Sequence, residues 1–95
     1  MFDYCTNLTT FTSNLSSLHV GSNMFKECSA LTSFDCADLS SLTIGVGMFG
    51  GCTNLSSFTS DLSNMQIGSY MFNNCENLTS FTSDLSSMTD GESMF

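Results

Sequence analysis

The chain has 95 residues, of which 41% are apolar, so it suits one small folded domain and excludes a disordered polar tract. Nine acidic residues against a single basic one give a formal net charge of −8, which would repel nucleic acids and anionic lipid headgroups. No apolar run is long enough for a membrane span, and the first residues lack the basic start and apolar stretch of a signal peptide. We therefore expect no nucleic-acid partner and no membrane insertion.

A repeat of 23 or 24 residues organises the whole sequence. The copies span 1–23, 24–47, 48–70 and 71–93, and a fifth copy starts at 94–95. Their shared pattern is M-F-x-x-C-x-x-L-x-x-F-x-x-(D/N)-L-x-x-(L/M)-x-x-G-x-x, with one extra residue in the second copy, within "FDCADL". One copy cannot bury such a set of apolar residues alone, whereas stacked copies bury it continuously. The sequence therefore predicts a single solenoid array over 1–95.

Each copy is predicted to contain one short strand around its central Phe, such as 57–60 in the third copy. Alternation points Phe58 and Ser60 inward and Ser57 and Thr59 outward. Copies stacked in register would then place their strands side by side in a parallel sheet. The polar segment after each strand is predicted to form a turn or a short 3-10 segment, and the Gly before each Met-Phe pair a tight bend. No window suits a long α-helix, so the predicted fold is mainly β.

The motif C-x-x-L-x-x-F…L-x-x-L/M-x-I-G-x-x-M-F-x-x-C resembles the BspA-like leucine-rich repeats of bacterial surface antigens, in the variant that has Met-Phe where others have Ala-Phe. The resemblance covers the whole chain. The Leu-Pro pair that usually ends the family's strand is replaced by Ser-Asp or Ser-Asn, and Asp90 stands where the other copies have Val20, Ile44 and Ile67. The resemblance implies a right-handed leucine-rich-repeat solenoid and a non-enzymatic surface module associated with adhesion to proteins, cells or glycans.

Two functions follow as alternatives. The first is an extracellular recognition or adhesion module that binds a protein or glycan ligand, as part of a longer cell-surface or phage-fibre protein. The second is a structural protein whose repeat ends, which lack polar caps, associate head to tail into a filament. Met1 occupies a repeat position, so we expect an excerpt of a longer array. The expected location is extracellular, on a cell or virion surface, and no cofactor is expected.

Few residues suit catalysis or metal binding. His19 is the only histidine, and Thr, Gln and Thr occupy its position in the other copies, so we expect a surface histidine and no catalytic residue. Four thiols lie in one column, a line that does not suit a tetrahedral metal site: Cys5, Cys28, Cys52 and Cys75. We expect buried, reduced thiols, with a disulfide between neighbouring copies as the alternative. The fifth cysteine, Cys36, is predicted to point inward.

An acidic column starts each turn. It consists of Asn14, Asp38, Asp61 and Asp84. Stacked carboxylates repel one another, and two arrangements relieve this repulsion. Each side chain either caps its own turn and stays hydrated, or Ca²⁺ bridges the carboxylates of Asp38, Asp61 and Asp84.

Candidate partner contacts fall on two surfaces. The outward strand positions carry hydroxyls that suit a glycan or, less readily because Asp35 interrupts them, an ordered-water face: Thr10, Thr12, Ser57, Thr59, Ser80 and Thr82. The copies differ most in the two residues on either side of the Met-Phe pair, and such a variable edge commonly contacts partners in repeat proteins. The candidates there are two aromatics and the single cation, Tyr4, Tyr70 and Lys26. Ordinary surface variation is the alternative.

Overall fold

The structure is a computed structural model that describes residues 2–34 and 38–95. It contains four strands of two residues each: β1 (Thr10–Phe11), β2 (Ser33–Phe34), β3 (Ser57–Phe58) and β4 (Ser80–Phe81). β1 pairs with β2 and β3 with β4, parallel and at equivalent repeat positions. The described residues contain no helix, and therefore none that could cross a bilayer. The mainly-strand prediction is confirmed at this level, although the strands are shorter than predicted and form two separate pairs.

Backbone hydrogen bonds join equivalent positions of neighbouring copies. The Phe of each Met-Phe pair donates its N–H to the Met carbonyl of the next copy at 2.7–2.9 Å, as Phe49 does to Met71. On another side of each copy the direction reverses, since Thr43 donates to the carbonyl of His19 and Gln66 to that of Thr43, both at 2.9 Å. Neighbouring copies in the described part of the chain therefore lie side by side in repeat register.

All nine phenylalanines form two rows across the copies. The rings of the Met-Phe pairs stack with centroids 5.4–5.6 Å apart, and they are Phe2, Phe25, Phe49, Phe72 and Phe95. The strand rings stack at 5.7–5.8 Å, and they are Phe11, Phe34, Phe58 and Phe81. The two rows meet edge to face at 4.8–5.4 Å. Both stacked and edge-to-face geometries are favourable for aromatic pairs, so these rows form the centre of the core.

The inward and outward positions of the third strand agree with the predicted alternation. Phe58 and Ser60 are buried, whereas Ser57 and Thr59 are exposed. Ser60 is held within the stack, since its carbonyl accepts a hydrogen bond from the Ser83 hydroxyl. The predicted inward position of Cys36 and outward position of Asp35 lie outside the described residues.

The glycine before each Met-Phe pair is required for a reason other than the predicted one. This column lies three residues before each Met and consists of Gly21, Gly45, Gly68 and Gly91. None of these four glycines has a positive φ, so the bend does not depend on a left-handed glycine there. Instead a Cβ on Gly45 would lie 3.0 Å from the methyl of Met65, and one on Gly68 would lie 2.8 Å from that of Met88. The column is glycine because a core methionine packs directly against the backbone.

Candidate functional site

Two backbone positions in each copy adopt the left-handed conformation, one just before Met and one just before Cys. The first set consists of Asn23, Gly47, Tyr70 and Ser93, and the second of Tyr4, Glu27, Gly51 and Asn74, with φ between 51° and 77°. Non-glycine residues adopt this conformation only at a cost, and Asn does so more easily than most. The positions that vary most between copies thus share one fixed backbone geometry around the buried Met-Phe pair.

A groove crosses this turn where the residues around Met48-Phe49 are glycines. Its floor is Gly47, Gly50 and Gly51, and its cavity volume is about 260 Å³. The turn around Met24-Phe25 forms one wall with Asn23, Lys26 and Glu27, and the turn around Met71-Phe72 forms the other with Tyr70, Asn73 and Asn74. Val46 completes the lining. We call this cavity the glycine-floored groove.

Polar groups on either side of the Met24-Phe25 pair lie directly over the floor. A Cβ on Gly51 would lie 2.5–2.6 Å from the Glu27 carboxylate, and one on Gly47 would lie 2.7 Å from Oδ1 of Asn23. Gly50 differs, because the nearest atoms to a Cβ there would be 3.4 Å or more away. The floor therefore holds a carboxylate and an amide at two points, whereas at the third a Cβ would be in ordinary van der Waals contact with backbone carbonyl oxygens.

The amides of the floor are occupied within the fold. Gly51 donates its N–H to the carbonyl of Asn73 at 2.8 Å, and the carbonyl of Gly50 accepts from Glu27 at 2.7 Å. Gly47 donates to the carbonyl of Ser69 at 2.9 Å. A ligand in the groove would therefore be recognised by the side chains of the walls, over a floor held in place by the hydrogen bonds between copies.

The walls are polar, with one exposed aromatic ring. They contain three amides, the Glu27 carboxylate and the only cation of the chain, Lys26. The Tyr70 side chain is 42% exposed. Amides both donate and accept hydrogen bonds, whereas the carboxylate only accepts and the ammonium only donates. The groove is thus equipped for a small, hydrogen-bonding ligand with one apolar face.

The structure brings together two of the three predicted variable-edge candidates. Lys26 and Tyr70 both line the glycine-floored groove, whereas Tyr4, which is 62% exposed, does not line it. Sequence reasoning located the variable edge but did not recognise the glycines or the asparagines as parts of a cavity. The run "GVGMFGG" was the available signal, since no other copy loses so many side chains around its Met-Phe pair.

The outward strand residues form a second polar surface. The predicted positions are all exposed: Thr10, Thr12, Ser57, Thr59, Ser80 and Thr82. Beside them, hydroxyls such as that of Thr79 donate to a carbonyl of the preceding copy, here Ser56 at 3.4 Å. Neither the groove nor the cavity beside Phe95 is lined by these strand residues. Its role in binding stays a prediction.

The acidic column caps its own turns. Oδ1 of Asp38, Asp61 and Asp84 accepts the N–H of the serine two residues later at 2.8–2.9 Å, as Oδ1 of Asn14 does. The Ser40 hydroxyl and amide hold the pKa of Asp38 below its usual value. Within the described residues no three His, Cys, Asp or Glu side chains are grouped so as to hold a metal ion. Calcium bridging between neighbouring carboxylates stays a prediction.

The cysteine column consists of free thiols built into the core. Each of Cys28, Cys52 and Cys75 donates its S–H to a Phe carbonyl of the preceding copy at 3.0–3.2 Å. Cys5, Cys28, Cys52 and Cys75 are all unbridged. Cys28 and Cys52 are fully buried, as predicted, whereas Cys5 and Cys75 have fewer neighbouring copies to cover them and are only half-buried. Burial raises the pKa of Cys52 to about 12 and that of Cys75 to about 11. These thiols stay protonated at neutral pH and are poor nucleophiles.

The only histidine lies on the surface. His19 is exposed, and its Nδ1 lies 3.1 Å from the carbonyl oxygen of Ser41, to which it donates. Its contact is with backbone, which fits the surface histidine that was predicted.

Comparison with known proteins places the repeat in a family. A family described as "BspA type Leucine rich repeat region (6 copies)" matches residues 1–95. No curated protein and no solved structure matches the chain. Repeats of this type occur in surface-associated bacterial proteins, act as protein-interaction modules and are typically non-enzymatic. With its Cys, Leu and Phe columns in register over its whole length, this chain belongs to the BspA-type leucine-rich repeat family.

Proposed function

We propose that the chain is a recognition or adhesion module of a longer extracellular, cell-surface or virion-surface protein, and that its copies stack as a right-handed solenoid. Its partner is a protein or a glycan, bound at the glycine-floored groove. The observation that carries this proposal is the groove itself, a cavity of about 260 Å³ at the turn where the copies differ most. Cavities with convergent polar groups are the default location of binding sites.

The core supports such a role by fixing the groove in advance. Phe49, between the floor residues, is fully buried and stacks at 5.4 Å on the equivalent ring of each neighbouring copy. The wall residues flank the two Met-Phe pairs whose rings stack on Phe49, so ring stacking sets the width of the groove. A site ordered before binding loses less conformational entropy when the ligand arrives.

The test is to compare single substitutions on the two candidate surfaces. Purified extracellular-matrix glycoproteins and an immobilised glycan panel serve as probes in biolayer interferometry. Tyr70→Asn and Gly50→Asn alter the groove, and Asn occupies the equivalent positions in other copies as Asn23 and Asn73. We expect these changes to weaken binding by about tenfold or more, as for central interface residues.

Matched controls lie outside the groove. Tyr4→Asn removes another exposed tyrosine, at a position where the fourth copy has Asn74, and Thr59→Lys alters the strand surface. We expect both to change affinity by less than about twofold. Binding that is lost with Thr59→Lys and kept with Tyr70→Asn would assign recognition to the strand surface. The absence of any bound probe would contradict the proposal.

A second candidate function is head-to-tail assembly, because the stacking of equivalent Met-Phe rings, such as Phe95 on Phe72 at 5.6 Å, can continue through a further copy. A cavity of about 260 Å³ opens beside Phe95, lined by Cys75, Leu78 and Glu76. Another copy of this chain would extend both rows there. Sedimentation velocity tests this, because the wild-type chain should form larger species as its concentration rises and Phe95→Asp should abolish that growth. A wild-type chain that stays monomeric at all concentrations would refute assembly.

A further inference from the structure

We propose that the glycine-floored groove binds one neutral hexopyranose, such as the exposed terminal sugar of a glycan. This inference rests on the proposed function and names the ligand class of the same site. The cavity of about 260 Å³ lies below the roughly 300–1,000 Å³ of sites for drug-sized ligands. It has room for a single sugar ring and little more.

The functional groups of the walls match those of a pyranose. A sugar ring carries hydroxyls around its rim, each of which donates one hydrogen bond and accepts others. The amides of Asn23, Asn73 and Asn74 offer both donors and acceptors, and the Glu27 carboxylate accepts. The remaining surface of a pyranose is a patch of C–H groups, for which an aromatic ring is the suitable partner. Tyr70 is the aromatic residue of the lining and is 42% exposed.

The charge of the site favours a neutral sugar. Within the groove the ammonium of Lys26 is accompanied by the carboxylate of Glu27, the next residue. Outside it the chain carries a net charge of −8 with no second cation. An acidic sugar would therefore be repelled at long range without a dedicated positive site. A neutral ring can use both side chains as hydrogen-bond partners.

The floor of the groove carries no side chain at Gly50, so a ligand meets backbone there. A Cβ at Gly50 would be in ordinary van der Waals contact with the carbonyl oxygens of Gly47 and Tyr70. The floor is held by hydrogen bonds to both neighbouring copies. Because the groove is open and the contacts few, the expected Kd for one sugar is weak, on the order of 1–10 mM.

The experiment is a titration of the ¹⁵N-labelled 95-residue chain, followed by ¹H–¹⁵N correlation spectra. The probes are D-galactose, D-glucose, D-mannose, N-acetyl-D-glucosamine and the acidic sugar D-glucuronate. We expect at least one neutral sugar to give saturable shifts at the amides of Gly47, Gly50 and Gly51. D-glucuronate should bind at least about tenfold more weakly than the best neutral sugar.

Three variants assign the shifts to the groove. Tyr70→Asn removes the ring and should weaken sugar binding by about tenfold or more. Gly50→Asn adds a side chain to the floor of the groove and should abolish binding. Tyr4→Asn should leave Kd within about twofold. Well-dispersed spectra of each variant show that it is folded.

Several outcomes would overturn the inference. These are no saturation with any neutral sugar, saturable shifts confined to the strand surface, D-glucuronate binding as tightly as the best neutral sugar, or unchanged binding in Tyr70→Asn. The proposed recognition function and the hexose inference can fail independently of each other. If a macromolecular partner binds the chain and is lost in Tyr70→Asn while no hexose saturates the groove, recognition at the groove stands and its ligand is not a hexose.

Discussion

Truncation of Phe49 tests whether the two phenylalanine rows form the core of the array. Phe49 is fully buried, and its ring contacts four others: Phe25 and Phe72, stacked at 5.4 Å, and Phe34 and Phe58, edge to face at 4.8 Å and 5.3 Å. Phe49→Ala removes the apolar contacts and leaves a cavity between two neighbouring copies. Truncation of a buried Phe typically costs about 3–5 kcal/mol.

The structure places the expected cost near the top of that range. Each favourable aromatic pair contributes about 0.5–1.5 kcal/mol beyond the burial of its area, and four such pairs are lost. We therefore expect Phe49→Ala to lower the free energy of unfolding by about 5 kcal/mol. A small domain has a total of roughly 5–15 kcal/mol, so this variant should be at the limit of folding. Phe49→Leu keeps most of the apolar volume and should cost about 1–2 kcal/mol.

Phe95→Ala is the matched control in the same row. Phe95 is 64% exposed and contacts two rings, so its truncation should cost about 1 kcal/mol or less. The free energies follow from urea denaturation monitored by far-UV circular dichroism, with linear extrapolation to water. If the costs of Phe49→Ala and Phe95→Ala differ by less than about 1 kcal/mol, the rows do not carry the core and the reasoning fails.

Three further predictions concern single positions. Burial raises the pKa of Cys52 to about 12, so its contribution to stability is complete below the pKa of an unfolded thiol near 9 and is lost as pH rises toward 12. Urea midpoints between pH 8 and 11 should therefore fall less steeply in Cys52→Ser, and equal slopes would contradict this. Asp61→Ala removes the acceptor for the Ser63 N–H and should cost about 1 kcal/mol by thermal unfolding, whereas Asp61→Asn, which can cap like Asn14, should cost almost nothing. Gly51→Ala should cost about 1–2 kcal/mol by the same assay, because its φ is +77° and a Cβ would meet the Glu27 carboxylate. Gly50→Ala should stay within about 0.5 kcal/mol, and similar costs for the two variants would contradict the need for glycine at Gly51.

The repeat register could be predicted from the sequence because apolar residues recur at the same positions of every copy. The pairing of Ser57 with Ser80 and of Phe58 with Phe81 follows from that register alone. Strand length could not be predicted in the same way. Asp61 lies three residues after the end of β3, and its side chain accepts a hydrogen bond from the N–H of Ser63. This local turn competes with pairing between strands for the backbone, and each strand is only two residues long.

The burial of the Met-Phe pair was not evident from the sequence. Polar and variable residues flank it on both sides, as Asn23 and Lys26 do for Met24 and Phe25. Within the sequence of a single copy, polar and variable residues on both sides of a short apolar pair are typical of an exposed turn. The pair is buried because the Met-Phe pairs of neighbouring copies stack on it and the strand phenylalanines pack against it edge to face. This is an effect of tertiary packing that the pattern of one copy does not contain.

The groove illustrates the same limit for the site. Variation between copies indicated the edge and two of its residues, Lys26 and Tyr70. A cavity arises only when a copy without side chains lies between two copies that have them, which requires knowing that Gly50 stacks between Lys26 and Asn73. Tyr4 shares the variation and the exposure of Tyr70 but has no such neighbour, and it lies outside the groove.

The backbone of this turn is nearly independent of the residues it carries. Gly47 has φ of 62°, against 58° for both Asn23 and Tyr70, its equivalents in the neighbouring copies. Replacing side chains by glycine therefore opens a cavity without changing the path of the chain, because the stacked Met-Phe pairs and the ladder between copies fix that path. Recognition sites in such an array can arise by loss of side chains at one copy, with the core unaltered. The same separation explains why Asn at Tyr70 or at Gly50 should alter binding while leaving the fold intact.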